Sequence, residues 1–163
     1  MRLGSDGEDL LELSIVGYQF PEAENPQQRY SWHMVQGRAQ TADESWGFCW
    51  QALTCDESTR LVRWLGEIAD ATARGGTPPA TGPCRASFTE PNLAFELASY
   101  QDGYALIRAE LDLEFRSPAN RPDHRAGRPN VLTLRASAEQ ISAAVADWEA
   151  DVSRYPDRLA DNS

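Results

Sequence analysis

The sequence predicts an α+β fold: a mainly antiparallel β-sheet with two packed helices, in the order β-β-β-α-β-β-β-β-α. Three observations predict it. Apolar and polar residues alternate in several short runs, the period of a strand with one face buried. Two longer stretches place apolar residues three and four apart, on one face of a helix. The strands come in runs separated by single helices, which favours α+β over a parallel βαβ arrangement.

LLELSIVGYQ, residues 10–19, is the first expected strand, with Leu11, Leu13 and Ile15 on one face and Glu12 and Ser14 on the other. PEAENPQQR, residues 21–29, is a polar, proline-containing loop. RYSWHMVQG follows as a strand with Tyr30, Trp32 and Met34 on one face, and Ser31, His33 and Gln36 interrupt the rest. ADES turns the chain into WGFCWQAL, where Trp46, Phe48 and Trp50 alternate as suits a half-buried pleated surface. The helix TCDESTRLVRWLGEIADATARGG comes next. Thr54 and Glu57 fit a capping box, with Asp56 a rival cap. Leu61, Trp64, Leu65 and Ile68 share its buried face, and Gly75 and Gly76 end it. TPPATGP, residues 77–83, is a loop.

A short strand follows, and then the segment FTEPNLAFE, residues 88–96. Phe88 lies on even numbering while Leu93, Phe95 and Leu97 lie on odd, so the hydrophobic phase slips across Glu90-Pro91-Asn92. A turn or bulge must absorb the slip, and Glu90 and Asn92 are expected to bond local backbone amides. YALIRAELDLEF reads as one long strand. Ile107, Leu111, Leu113 and Phe115 point inward; Arg108, Glu110, Asp112 and Glu114 point outward. Between the last two strands lies Gln101-Asp102-Gly103. A two-residue Asp-Gly loop would pair residue 95 with 110 and mix apolar with charged side chains on one face. A three-residue loop pairs 97 with 107, 95 with 109 and 93 with 111, with Gly103 at its left-handed position, so the three-residue loop is predicted. Glu96 then faces Arg108, an exposed pair worth ~0.2–1 kcal/mol. RSPANRPDHRAGRP, residues 116–129, is an arginine-rich loop. NVLTLRA is the last strand. Ser137 and Gln140 cap a helix running to about Arg154, with Ile141, Val145, Trp148 and Val152 as its stripe. YPDR stops it, and residues 159–163 are expected to fray. All 163 residues read as one domain.

The net charge is −10, and all fifteen cationic side chains are arginine. Schiff-base and P-loop lysine chemistry are therefore excluded. The field has the wrong sign for direct binding to nucleic acid and suits a basic protein partner. There is no run of about 18 apolar residues to span a membrane, and the acidic start does not resemble a signal peptide, so a cytoplasmic protein is expected. Cys49, Cys55 and Cys84 lack CxxC spacing and read as reduced thiols. These cysteines, His33 and His124 are too scattered to suggest a metal site, and no cofactor motif is present.

Cys55 begins a helix, where the dipole lowers a thiol pKa; the plainer reading is a small residue beside a cap. His33 reads as a partly buried, locally bonded histidine or as a base. Glu90, Glu96, Glu110, Asp112 and Glu114 gather on one expected sheet face. Such a set serves as a solvated face, an acid/base or divalent-ion site, or an acidic docking surface. The arginine loop either grips phosphate or carboxylate groups or simply keeps a connection soluble.

LELSIVGYQFPE near the start, EPNLAFE in the middle and the closing YPDR resemble the WapI-type immunity proteins. The resemblance spans most of the chain and includes the strand–helix–strand order. It implies a cytoplasmic, non-enzymatic antidote, without cofactor, that binds and blocks a secreted nuclease-type toxin. It carries over no binding residues. The residue-level reading agrees: a nuclease needs a positive surface for phosphates, and carboxylates compete for it. The expected contact surface is Glu96, Glu110, Asp112 and Glu114 with Glu90 at its edge, and Tyr18, Tyr30 or Trp32 as anchors. A small carboxylate-dependent hydrolase and a regulatory or scaffold module are the alternatives.

Overall fold

Residues 1–76, 84–120 and 128–158 are described by the computed structural model. The 77–83 loop, residues 121–127 of the arginine loop (with His124) and the 159–163 tail lie outside the described residues.

Alternation in the first half gives strands β1 (Arg2–Gly4), β2 (Leu10–Tyr18), β3 (Trp32–Gln40) and β4 (Ser45–Thr54), with the short helix α1 (Pro26–Arg29) in the polar loop. Helix α2 (Cys55–Ala73) follows. The second half repeats the plan with β5 (Arg85–Ser87), β6 (Leu93–Gln101), β7 (Tyr104–Leu111), β8 (Asn130–Ser137) and helix α3 (Ala138–Arg154). The strands form two four-stranded antiparallel sheets in the orders β1-β2-β3-β4 and β5-β6-β7-β8. The α+β class and the strand–helix order agree with the sequence reading. That reading lacked β1, too short to show a period, and α1, a single turn capped by Asn25 with Pro26 at its start.

Both capping boxes form, Thr54 with Glu57 and Ser137 with Gln140. The α2 stripe Leu61, Trp64, Leu65 and Ile68 is buried as expected. The α3 stripe is rotated: Ile141, Ala144, Trp148 and Asp151 are buried, whereas Val145 and Val152 are only partly so. Asp151 earns its inward position because its carboxylate accepts from Ile15 N–H at 3.1 Å, beside a bulge in β2. The helices meet where Trp148 Nε1 donates to Ser58 O at 3.1 Å. One apolar cluster joins both sheets and both helices, including Leu13, Phe48, Trp64, Phe95, Ile107, Leu134 and Trp148. Gly37 makes room in it: a Cβ there would lie 2.4 Å from the Phe48 ring.

Three details differ from expectation. On β3 the inward face carries His33, Val35 and Ala39, while Trp32 and Met34 turn to the other side and are half-buried. The β6–β7 register is as predicted, Leu93↔Leu111, Phe95↔Ala109 and Leu97↔Ile107. The turn, however, is the two-residue Asp102-Gly103 loop, with φ of 53° and 81°. The extra residue sits in a bulge between Leu97 and Ser99 instead. Finally, β7 ends at Leu111 and does not run to residue 115. The Asp112 side chain accepts from Leu113 N–H at 2.7 Å and starts a 3-10 turn, Leu113–Phe115. That turn drives Phe115 inward, stacked on Phe48 at 4.1 Å, with its carbonyl accepting from Trp46 Nε1 at 2.9 Å.

Candidate functional site

The sharp end of β7 divides the five carboxylates the sequence had placed on one face. Glu96 and Glu110 lie on the outer face of the β5–β8 sheet, and Asp112 and Glu114 do not, because the strand has ended before them. Glu96 stands between Arg85 and Arg108 across the ladder and reaches Arg108 at 3.8 Å. Arg85 grips Glu110 with two bonds of 2.9 and 2.7 Å. Those bonds hold the Glu110 carboxyl below the usual carboxylate range. Arg135 lies 3.4 Å over the Tyr104 ring on the same face. On this face, Arg85 and Arg108 thus answer Glu110 and Glu96, and Arg135 stacks on Tyr104, so the carboxylates do not form an uncompensated acidic ledge.

The other three carboxylates bond to separate partners around the 88–92 loop and β4. Glu90 Oε1 accepts from Gln51 Nε2 of β4 at 3.4 Å. Glu114 Oε2 accepts from Asn92 Nδ2 at 2.7 Å, and Asp112 N–H donates to Asn92 O at 2.9 Å. Asp112 also pairs with the buried Arg116 at 2.5 Å. Residues 88–92 form the hairpin loop between β5 and β6, the turn required by the hydrophobic phase slip. Among the described residues, Glu90 and Asn92 bond to other segments, Gln51 and Glu114, and not to local amides as expected.

The backbone of that loop is held from elsewhere. Glu57 Oε1 accepts from Thr89 N–H and Thr89 Oγ1, both at 2.8 Å, while Oε2 closes the cap on Thr54 N–H at 3.0 Å. The sequence shows the cap but not the reach to Thr89, which lies 32 residues along the chain.

A second cluster sits under β3. His33 Nδ1 lies 2.7 Å from Ser58 Oγ, and Nε2 lies 2.8 Å from Tyr155 O and 3.2 Å from Cys55 Sγ. A carbonyl only accepts, so Nε2 carries the proton and Nδ1 accepts from Ser58. Cys55 donates its own proton to Tyr30 O at 2.9 Å. The histidine lone pair therefore faces away from the thiol. His33 and Ser58 are 0% exposed and Cys55 2%. Burial pushes the Cys55 thiol up to about 12 and lowers His33, the reverse of an activated thiolate–imidazolium pair. Desolvation outweighs the helix start, in keeping with the plainer reading of Cys55 as a small residue beside a cap. Cys49 and Cys84 are exposed free thiols.

Of the expected aromatic anchors, Tyr18 is committed internally. Its hydroxyl donates to Pro156 O at 2.7 Å, and its ring packs edge-on against Tyr30 and Tyr155 at 5.0 and 5.7 Å. Tyr30 and Trp32 are half-buried. Trp50 on β4, expected beside Trp46 and Phe48, is 47% exposed while those two are buried. Among the described residues, no group of three or more His, Cys, Asp or Glu side chains is placed to hold a metal ion. Nor is any helix among them long and apolar enough to cross a membrane.

Comparison with known families supplies the context for this surface. The immunity protein WapI-like family matches residues 2–156, nearly the whole chain, and the chain belongs to that family. A search of curated proteins finds no match. Family membership supports a general toxin-neutralising role and a protein toxin as partner.

Proposed function

We propose that the protein is a non-enzymatic antidote that acts inside the cell by binding and masking a basic, nuclease-type toxin domain. The family match over residues 2–156 carries this reading. The charge balance supports it: 25 acidic against 15 basic side chains leave −10. A nuclease holds phosphates on a positive surface, and a strongly acidic protein is attracted to that surface and competes with its substrate. Glu90, Asp112 and Glu114, grouped around Asn92 beside β4, are the carboxylates of the proposed contact surface. Glu96, Glu110 and Asp112 are each paired with an arginine, so they contribute orientation more than attraction.

The test is a titration. A nuclease-type toxin domain co-purified with this protein from the native cell is separated, and its cleavage of nucleic acid is measured against added protein. The reading expects cleavage to stop at one equivalent. Cleavage that persists at several-fold excess, or a cell extract from which no toxin co-purifies, overturns it.

A further inference from the structure

The two sheets have four outer edges, and three of them are guarded. β1 has three residues, one of them Arg2, and lies against β8. On β8 the Thr133 N–H is closed by the Asp9 carboxylate at 2.6 Å, and Arg135 adds a charge. β5 is three residues long and carries Arg85. Short edges, charges and capped amides are the ordinary means of preventing a sheet from pairing with another chain.

Among the described residues, β4 is neither short, charged nor capped at its amides, although the 3-10 turn Leu113–Phe115 packs against it. The strand is ten residues long, SWGFCWQALT, and contains no charged side chain. Ser45, Gly47, Cys49 and Trp50 are exposed. Among the described residues, no main-chain hydrogen bond joins residues 45–53 to any segment other than β3. Its one irregularity, a bulge opposite His33 and Met34, lies at its far end and leaves residues 45–50 in regular ladder. Trp50 belongs to the same alternating face as the buried Trp46 and Phe48, yet nothing covers nearly half of it. Acids flank the strand: Asp43 and Glu44 precede it, and Glu90 sits on Gln51 with Glu114 two bonds away through the Asn92 loop.

We infer that the free edge of β4, residues 45–51, receives an extended strand of the toxin, which continues the β1–β4 sheet as a fifth strand. The inference rests on the immunity reading and names its contact. Main-chain hydrogen bonds along an open edge supply affinity, and side chains on alternate positions supply selection. The chemistry of the edge specifies the strand: an apolar residue to seat on Trp50, and arginine or lysine at both ends to meet Glu44 and Glu90. A second copy of this chain is the other occupant an open edge admits. The net charge of −10 on each copy opposes it.

The experiment uses the full chain and the co-purified toxin domain. Hydrogen exchange is measured for the free protein and the complex, and binding is measured for Gly47→Lys, Trp50→Lys and Glu139→Gln. A Cβ at Gly47 meets only Gly37 O at 3.7 Å, so a lysine there fits the fold, and an unchanged thermal midpoint checks this. Glu139 is exposed on α3 and its substitution changes the net charge by the same single unit as Gly47→Lys. The inference expects amides within 45–51 to exchange at least tenfold more slowly in the complex. It expects Gly47→Lys and Trp50→Lys to weaken binding at least tenfold and Glu139→Gln less than twofold. A complex that leaves 45–51 exchange unchanged, or equal weakening by all three variants, overturns the edge and leaves the immunity reading standing. A β4-paired dimer of the free protein overturns it in favour of self-association. Absence of any complex removes the immunity reading and the inference together.

Discussion

His33 and Cys55 stand 3.2 Å apart, and the direction of their bonds makes them structural. Each is buried in the form it can hold without charge, and burial ties each to pH in a definite sense. His33 is held below its ordinary 6.5 chiefly by desolvation, so the folded state refuses a proton that the unfolded chain accepts. Its contribution is fully present above about pH 6.5 and declines as pH falls below it, by at most about 1.4 kcal/mol per pH unit for one proton. Cys55 is raised from 9.0 to about 12, so its contribution is intact below about pH 9 and lost as pH rises toward 12. Denaturant midpoints measured from pH 5 to 10 should therefore plateau between about 8 and 9, because the Met1 ammonium, held below its ordinary 8.0 chiefly by burial, also withdraws stability as pH falls below 8. In His33→Gln, which keeps a donor for Tyr155 and an acceptor for Ser58, the decline between pH 6.5 and 5 should be shallower. An identical acid slope in that variant means His33 titrates freely and the bond scheme is wrong.

The β6–β7 hairpin shows at the level of elements what local chemistry adds to a pattern. Gly103 has φ of 81°, a conformation that costs an L side chain about 1–2 kcal/mol, more when β-branched. Gly103→Val should lower stability by about that amount in urea titrations, whereas a change within error would argue for a turn without a left-handed residue. The register here was readable from alternation because Leu93, Phe95 and Leu97 must face the core. The place of the extra residue was not, since a three-residue loop and a bulge at Ala98 preserve the same pairs. Alternation misled at the end of β7 because Leu113 and Phe115 continue its rhythm, although Asp112 has already turned the backbone. On β3 the apolar rhythm pointed the wrong way: the core face carries His33 and Gly37, which are satisfied by Ser58, Tyr155 and the Phe48 ring from distant segments. The candidate surface divides similarly. The Glu96–Arg108 pair was readable because both residues belong to long strands. The Arg85 clamp on Glu110 was not, because β5 has three residues and no period of its own.

Across the whole molecule, the proposed reading assigns binding to two sources. Long-range attraction belongs to the total charge of −10, spread over many exposed acids such as Glu8, Glu22, Glu67 and Glu149. Short-range hold belongs to an uncharged strand edge and an exposed Trp50. Salt separates the two, because its screening length falls from about 10 Å at 0.1 M to about 3 Å at 1 M while hydrogen bonds along a covered edge are little affected. If the toxin domain is basic as proposed, stopped-flow association with it should slow at least tenfold between about 0.05 and 0.5 M salt, while the dissociation rate changes less than about threefold. If dissociation instead carries the salt dependence, the complex is held by ion pairs at its centre, and the contact lies on a charged surface away from β4. If neither rate responds, the acidity of the chain serves solubility and the partner's surface is not basic.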